Sequence, residues 1–165
     1  MISLFRTAAA LAAGVLAAAP ALAQTETATV YRGMTGAEIA ALVVEAGFSA
    51  ERDIAEEDKS PMVITEMSGL NVYIYTYVCD REEAAKGPPA RCESVQFLLP
   101  LSDVIDLETI DAWNREYRYA KAWSITDDGG VRLTFDFLVD GVTGDHFIRS
   151  INLFADLIEE FIDFL

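Results

Sequence analysis

The sequence predicts an α+β domain in which one antiparallel sheet packs against an N-terminal helix and a long C-terminal helix. Three observations carry this. Residues 70–99 read as a long β-hairpin, LNVYIYTYVC and CESVQFLLP, joined by an acidic connection that contains Pro and Gly. Residues 131–139 alternate cleanly, with Val131, Leu133, Phe135, Phe137 and Val139 on one face and Arg132, Thr134 and Asp136 on the other. Residues 143–165 carry apolar side chains at alternating spacings of four and three, the repeat of one helix face.

Residues 1–23 stand apart from this domain. Arg6 forms a short basic start, residues 7–19 are Ala/Leu-rich, and Ala21-Leu22-Ala23 before Gln24 is a small-x-small cleavage site, so the segment reads as a secretory signal peptide cut after Ala23. The apolar run is too short for a spanning helix, so no membrane span is expected after cleavage. A segment of this kind directs a chain out of the cytoplasm, and the expected location is periplasmic or secreted. Removing 23 of the 165 residues leaves 142, the size of one domain. Arg6 is the only charged residue removed, which takes the formal net charge from −15 to −16. A surface that negative disfavours nucleic acid and anionic lipid and steers cationic or polar partners, although solubility alone would also explain it.

Residues 24–34 are Thr-rich at their start and lack a period, which reads as a flexible lead-in before a single domain over residues 35–165. Thr35-Gly-Ala-Glu38 is a capping box, with Met34 placed to staple onto Ile39. Ile39, Leu42, Val43 and Ala46 form one stripe and Gly47 is the left-handed stop. Glu51, Asp53, Glu56, Glu57 and Asp58 lack the offsets and glycine of a calcium loop and read as a solvated edge strand or loop. Residues 62–67 read as a strand that turns through Ser68-Gly69 into Leu70.

The register of the central hairpin follows from its pattern. Placing Cys79 opposite Cys92 pairs Tyr77 with Ser94, Tyr75 with Gln96 and Tyr73 with Leu98 on one face, and Thr76 with Val95, Ile74 with Phe97 and Val72 with Leu99 on the other. A slip of one residue would mix the aliphatic and tyrosine faces. Both cysteines then fall on the tyrosine face, and directly opposed residues lie about 4.5–5.5 Å apart, within disulfide reach. An exported chain with two such cysteines is expected to hold a Cys79–Cys92 disulfide.

Beyond Pro100, Asp106 is a cap for a helix whose Leu107, Ile110, Trp113 and Tyr117 share a face. Residues 118–125 read as a weakly alternating strand, and Asp127-Asp128-Gly129-Gly130 as turn chemistry rather than a metal loop. Thr143 caps the last helix, with Val142 and Phe147 as staple. Phe147, Ile151, Phe154, Ile158, Phe161 and Leu165 form its stripe, broadened by Ile148, Leu157, Ile162 and Phe164, wide enough to be wedged in the core or to serve a homodimer. Glu159, Glu160 and Asp163 oppose the helix dipole without a folding rationale in the sequence.

The order Y-x-Y-x-Y-V-C…C-E-S-V-Q-F, D-A-W-N-R-E-Y-R-Y-A-K-A-W, D-D-G-G-V-R-L and a terminal helix ending E-F-I-D-F-L resembles the YbjN family, small bacterial proteins described as sensory transduction regulators. The resemblance spans residues 35–165 and is most specific at Cys79…Cys92-x-Ser94-x-Gln96-Phe97 and Trp113-Asn114-Arg115. It implies a fold similar to type III secretion chaperones and brings no catalytic residue. Export sets this chain apart from a cytoplasmic regulator.

Catalysis has no signature here. His146, the one histidine, has no nucleophile or ligand partner in sequence, and no G-x-S-x-G, P-loop or H-E-x-x-H occurs. No catalytic residue, metal ligand or cofactor is assigned. Two functions compete. One is a non-enzymatic exported binding or chaperone-like regulatory module that holds a protein partner on Tyr73, Tyr75, Tyr77 and Gln96 or on the terminal helix, tyrosines giving large rigid contact area with a polar tip. The other is a small-molecule or envelope-stress sensor with a pocket between helices and sheet, lined by Trp113 and Trp123.

Overall fold

The computed structural model describes residues 28–57, 59–80, 90–125 and 130–165. The expected signal peptide lies outside the described residues, as do most of the hairpin connection and of the Asp127–Gly130 turn. The elements are α1 (Gly36–Glu45), β1 (Glu51–Ile54), β2 (Pro61–Met67), β3 (Leu70–Cys79), β4 (Cys92–Leu101), α2 (Leu107–Glu116), β5 (Lys121–Ser124), β6 (Val131–Leu138) and α3 (Gly144–Phe164). The six strands form one antiparallel sheet in the order β1-β2-β3-β4-β6-β5. This is the predicted α+β class, with α1 and α3 as its N- and C-terminal helices.

Local rules account for the element ends. Thr35 accepts from the Glu38 N–H while the Glu38 carboxylate accepts from the Thr35 N–H, closing the capping box of α1. Asp106 accepts from Thr109 N–H at α2, and Thr143 from His146 N–H at α3. Ser68 and Gly69 both take positive φ, 51° and 77°, as a two-residue hairpin turn requires. The β3–β4 pairing runs Tyr73↔Leu98, Ile74↔Phe97, Tyr75↔Gln96, Thr76↔Val95, Tyr77↔Ser94 and Cys79↔Cys92, the register read from the sequence.

The core lies between one face of this sheet and the helices. Val63, Met67, Val72, Ile74, Val95 and Leu99 supply the sheet side. The Phe97 ring sits at its centre, 5.4 Å from Phe137, 5.5 Å from Phe154, 5.9 Å from Phe135 and 6.0 Å from Phe147, joining β4, β6 and α3. Trp113 of α2 stacks on Tyr117 at 3.7 Å and meets Phe161 edge-on at 4.7 Å. The wide stripe of α3 is spent mainly here: Phe147, Ile151, Phe154, Leu157, Ile158 and Phe161 are buried, while Ile162 and Leu165 stay exposed. Glu159 has a folding role after all, since its carboxylate accepts from the Ser68 hydroxyl in the β2–β3 turn at 3.1 Å.

Several expectations need correction. Residues 30–34, assigned to the flexible lead-in, are fastened to the domain. Met34 and Cys92 exchange both backbone hydrogen bonds at 2.9 Å, Tyr31 donates to the Val142 carbonyl and accepts from Gly141, and Met34 is fully buried. Isolated bridges of one residue are too short to show a period, so the sequence concealed them. The disulfide Cys79–Cys92 is present, but not on the tyrosine face. Val78 sits at φ +55°, which breaks the alternation and brings Cys79 Sγ to 3.5 Å from Thr76 Oγ1, on the helix-facing side, with Cys92 fully buried. The strand expected over residues 118–125 shortens to Lys121–Ser124. Leu107, at the first position of α2, overhangs into solvent. Thr134 faces outward as predicted, opposite Leu98, but is only 5% exposed there, and its hydroxyl donates to the Lys121 carbonyl of the neighbouring strand.

Candidate binding face

Alternation along the strands sends a second set of side chains away from the helices, and among the described residues no element covers them. Directly opposed residues share a face, so Met62, Tyr75, Gln96 and Asp136 form one row across β2, β3, β4 and β6. Ile64, Tyr73, Leu98, Thr134 and Lys121 form the next. Tyr77, Ser94 and Leu138 form a third at the disulfide end.

The sequence-predicted residues Tyr73, Tyr75, Tyr77 and Gln96 thus lie together on the open face. The Tyr73 and Tyr75 rings stack at 6.2 Å with planes 25° apart. Tyr77 donates its hydroxyl proton to Gln96 Oε1 at 3.3 Å, and Gln96 Nε2 donates to Asp136 Oδ1 at 2.8 Å. This relay across three strands fixes the Gln96 amide and aims the Tyr77 ring. Met62 and Leu98 are each only 8% exposed although no helix among the described residues lies over them. Neighbouring tyrosines shield them, so the tyrosine strip already behaves as a partial second core. A shallow depression of about 280 Å³ opens beside it, lined by Tyr77, Ser94, Asp136 and Leu138.

Trp113 and Trp123 do not share a pocket. Trp113 is fully buried on the helix side of the sheet; Trp123 is on the open face, where the Arg132 guanidinium carbon lies 5.0 Å from its ring centroid. Ala122 occupies the helix-facing place between them. Its N–H donates to Asn114 Oδ1 at 2.9 Å and its carbonyl accepts from Asn114 Nδ2 at 2.8 Å, which fixes the strand and its alternation. The aromatic packing around Phe97 and Trp113 occupies the space between helices and sheet where the pocket was expected.

A larger depression, about 540 Å³, lies at the hairpin mouth between Arg32, Cys79, Asp80, Arg91, Glu93 and Asp140. Its charges are mixed, and Arg91 is committed: its guanidinium donates to the carbonyls of Arg32 at 3.1 Å and Gly33 at 2.9 Å and pairs with Glu38 at 3.1 Å. Burial alone would raise the Glu38 carboxyl, but the bonds from Thr35 and Arg91 outweigh it and hold the group below its ordinary value. Sequence reasoning missed Arg91 and Asn114, because side-chain bonds to the backbone of another element leave no periodic trace.

The open face offers aromatic planes, an oriented amide and a carboxylate, groups suited to non-covalent recognition. His146 is exposed and edge-on to Phe137 at 6.4 Å, and its carbonyl accepts from the Ser150 hydroxyl at 3.0 Å. No group of three or more potential metal-ligating His, Cys, Asp or Glu occurs among the described residues. The family model YbjN, described as "Putative bacterial sensory transduction regulator", matches residues 35–165. No curated protein and no solved structure matches the chain.

Proposed function

Because the chain belongs to the YbjN family of bacterial regulators, we propose that it is a non-enzymatic regulatory module, exported to the periplasm or secreted, that acts through protein–protein contacts made by the open face of its sheet. The observation that carries this reading is the tyrosine strip: Tyr73, Tyr75 and Tyr77 held in a fixed array over the nearly dry Met62 and Leu98, with no element above them among the described residues. A partner laid on such a surface gains large rigid contact area at low entropic cost. Export is supported by the signal-peptide pattern of residues 1–23 and by the disulfide, which persists in oxidising compartments. The alternative, a sensor pocket between helices and sheet, loses its proposed lining because Trp113 and Trp123 lie on opposite faces. Dimerisation through α3 would have Ile162 and Leu165 as its exposed apolar base.

The test replaces Tyr73, Tyr75 and Tyr77 together by serine in the exported protein. The variant is expected to keep its circular dichroism spectrum and disulfide while losing the partner that the parent protein captures from envelope extracts. Capture at the parent level by a folded variant would contradict the reading.

A further inference from the structure

We propose that the partner covers the open face with a basic amphipathic helix laid along β3, a deepening that rests on the reading of this face as the acting surface. The width of the strip fits one helix. Adjacent strands are about 4.8 Å apart, so β2, β3 and β4 together present about 10 Å, the diameter of one helix with its side chains. Across that width run Met62 and Ile64, Tyr73 and Tyr75, and Leu98. The opposite face of the same sheet already shows the solution, since helices cover it.

The charge around the strip selects a basic helix. Glu51 and Asp53 of β1 stand opposite Ile64 and Met62 and share their face, and Glu66 follows on β2. Asp136 of β6 bounds the other side. On the open face, β1 to β4 carry no Lys or Arg. The bases of β5 and β6 lie beyond the strip and are engaged: Lys121 Nζ donates to the Asn114 and Tyr117 carbonyls, and Arg132 lies against Trp123. A helix with an apolar stripe flanked by Lys or Arg would meet acids on both sides and set its cations over tyrosine rings. The formal net charge of −15 steers such a segment toward the protein.

A second copy of the chain does not supply this helix. α1 has no Lys or Arg, α2 has Arg115 against Glu108, Asp111 and Glu116, and α3 exposes Arg149 against Asp145, Asp156, Glu159, Glu160 and Asp163.

The probes are three synthetic peptides of about 18 residues, long enough to pass the roughly 12–15 residues below which isolated helices are marginal. One is a Leu/Lys sequence with helical periodicity, one replaces every Lys by Glu, and one scrambles the Leu/Lys sequence to destroy the stripe. Each is titrated into isotope-labelled mature protein while backbone amide shifts are followed. The periodic Leu/Lys helix is expected to shift amides of β2, β3 and β4, to bind at least about ten-fold more tightly than the scrambled peptide, and to lose about ten-fold affinity against the triple tyrosine-to-serine variant. Equal binding by the Glu or scrambled peptide, shifts confined to the helix layer, or self-association of the free protein through β2–β4 would overturn the proposal. Loss of the natural partner by the triple variant with no binding of the Leu/Lys helix would remove the helix chemistry and leave the face; retention of that partner would remove the face itself.

Discussion

Arg91 holds three pieces of the molecule at once. Its guanidinium binds the carbonyls of Arg32 and Gly33 and the Glu38 carboxylate, which also closes the capping box on Thr35. Because Glu38 titrates below its ordinary value of 4.5 in the folded chain, its contribution is fully present above that value and is lost as pH falls through the lowered one. Glu38→Gln is therefore expected to be less stable than the parent at neutral pH, with the gap closing as the pH drops below about 4.5. Urea unfolding across that range reads the effect, and a gap independent of pH would contradict it. Asn114 has an equivalent role at the β5 edge of the sheet, where its amide occupies the outward N–H and carbonyl of Ala122. Asn114→Ala removes two hydrogen bonds and should cost about 1–3 kcal/mol, and freeing an edge should promote association at high concentration. Denaturation and size-exclusion chromatography measure the two consequences separately.

The central hairpin was the most legible element. Its register follows from the requirement that one face be aliphatic, and the structure keeps it from Tyr73 to Cys79. The caps at Thr35, Asp106 and Thr143 and the Ser68-Gly69 turn were legible for a similar reason: each is decided by a few adjacent residues. What the pattern could not carry is the left-handed Val78, which turns the disulfide from the tyrosine face toward Thr76, because alternation assumes a regular backbone. Cys92 also links the bond to the N-terminal strap, since it pairs with Cys79 on one side and with Met34 on the other. Replacing both cysteines by alanine is expected to cost about 3 kcal/mol, as the unfolded chain regains the entropy of an open loop. Hydrogen exchange should then quicken first at Met34 and Cys92; unchanged protection there would separate the strap from the disulfide.

Seen as a whole, the molecule is one-sided. Helices bury one face of the sheet around Phe97, and the other carries the tyrosine strip without a described cover. The candidate face was legible in the sequence because its three tyrosines alternate strictly, whereas the Trp113–Trp123 pocket failed because weak alternation in a short strand conceals which face each ring takes. The measurement that tests the account most directly is a photo-crosslinking scan in living cells, with a photoreactive phenylalanine analogue placed singly at Tyr73, Tyr75 and Tyr77, and at Val44 on the exposed side of α1 as control. The account predicts one discrete protein adduct from the three face positions and none from position 44. Adducts from position 44 with none from the tyrosine strip would contradict it.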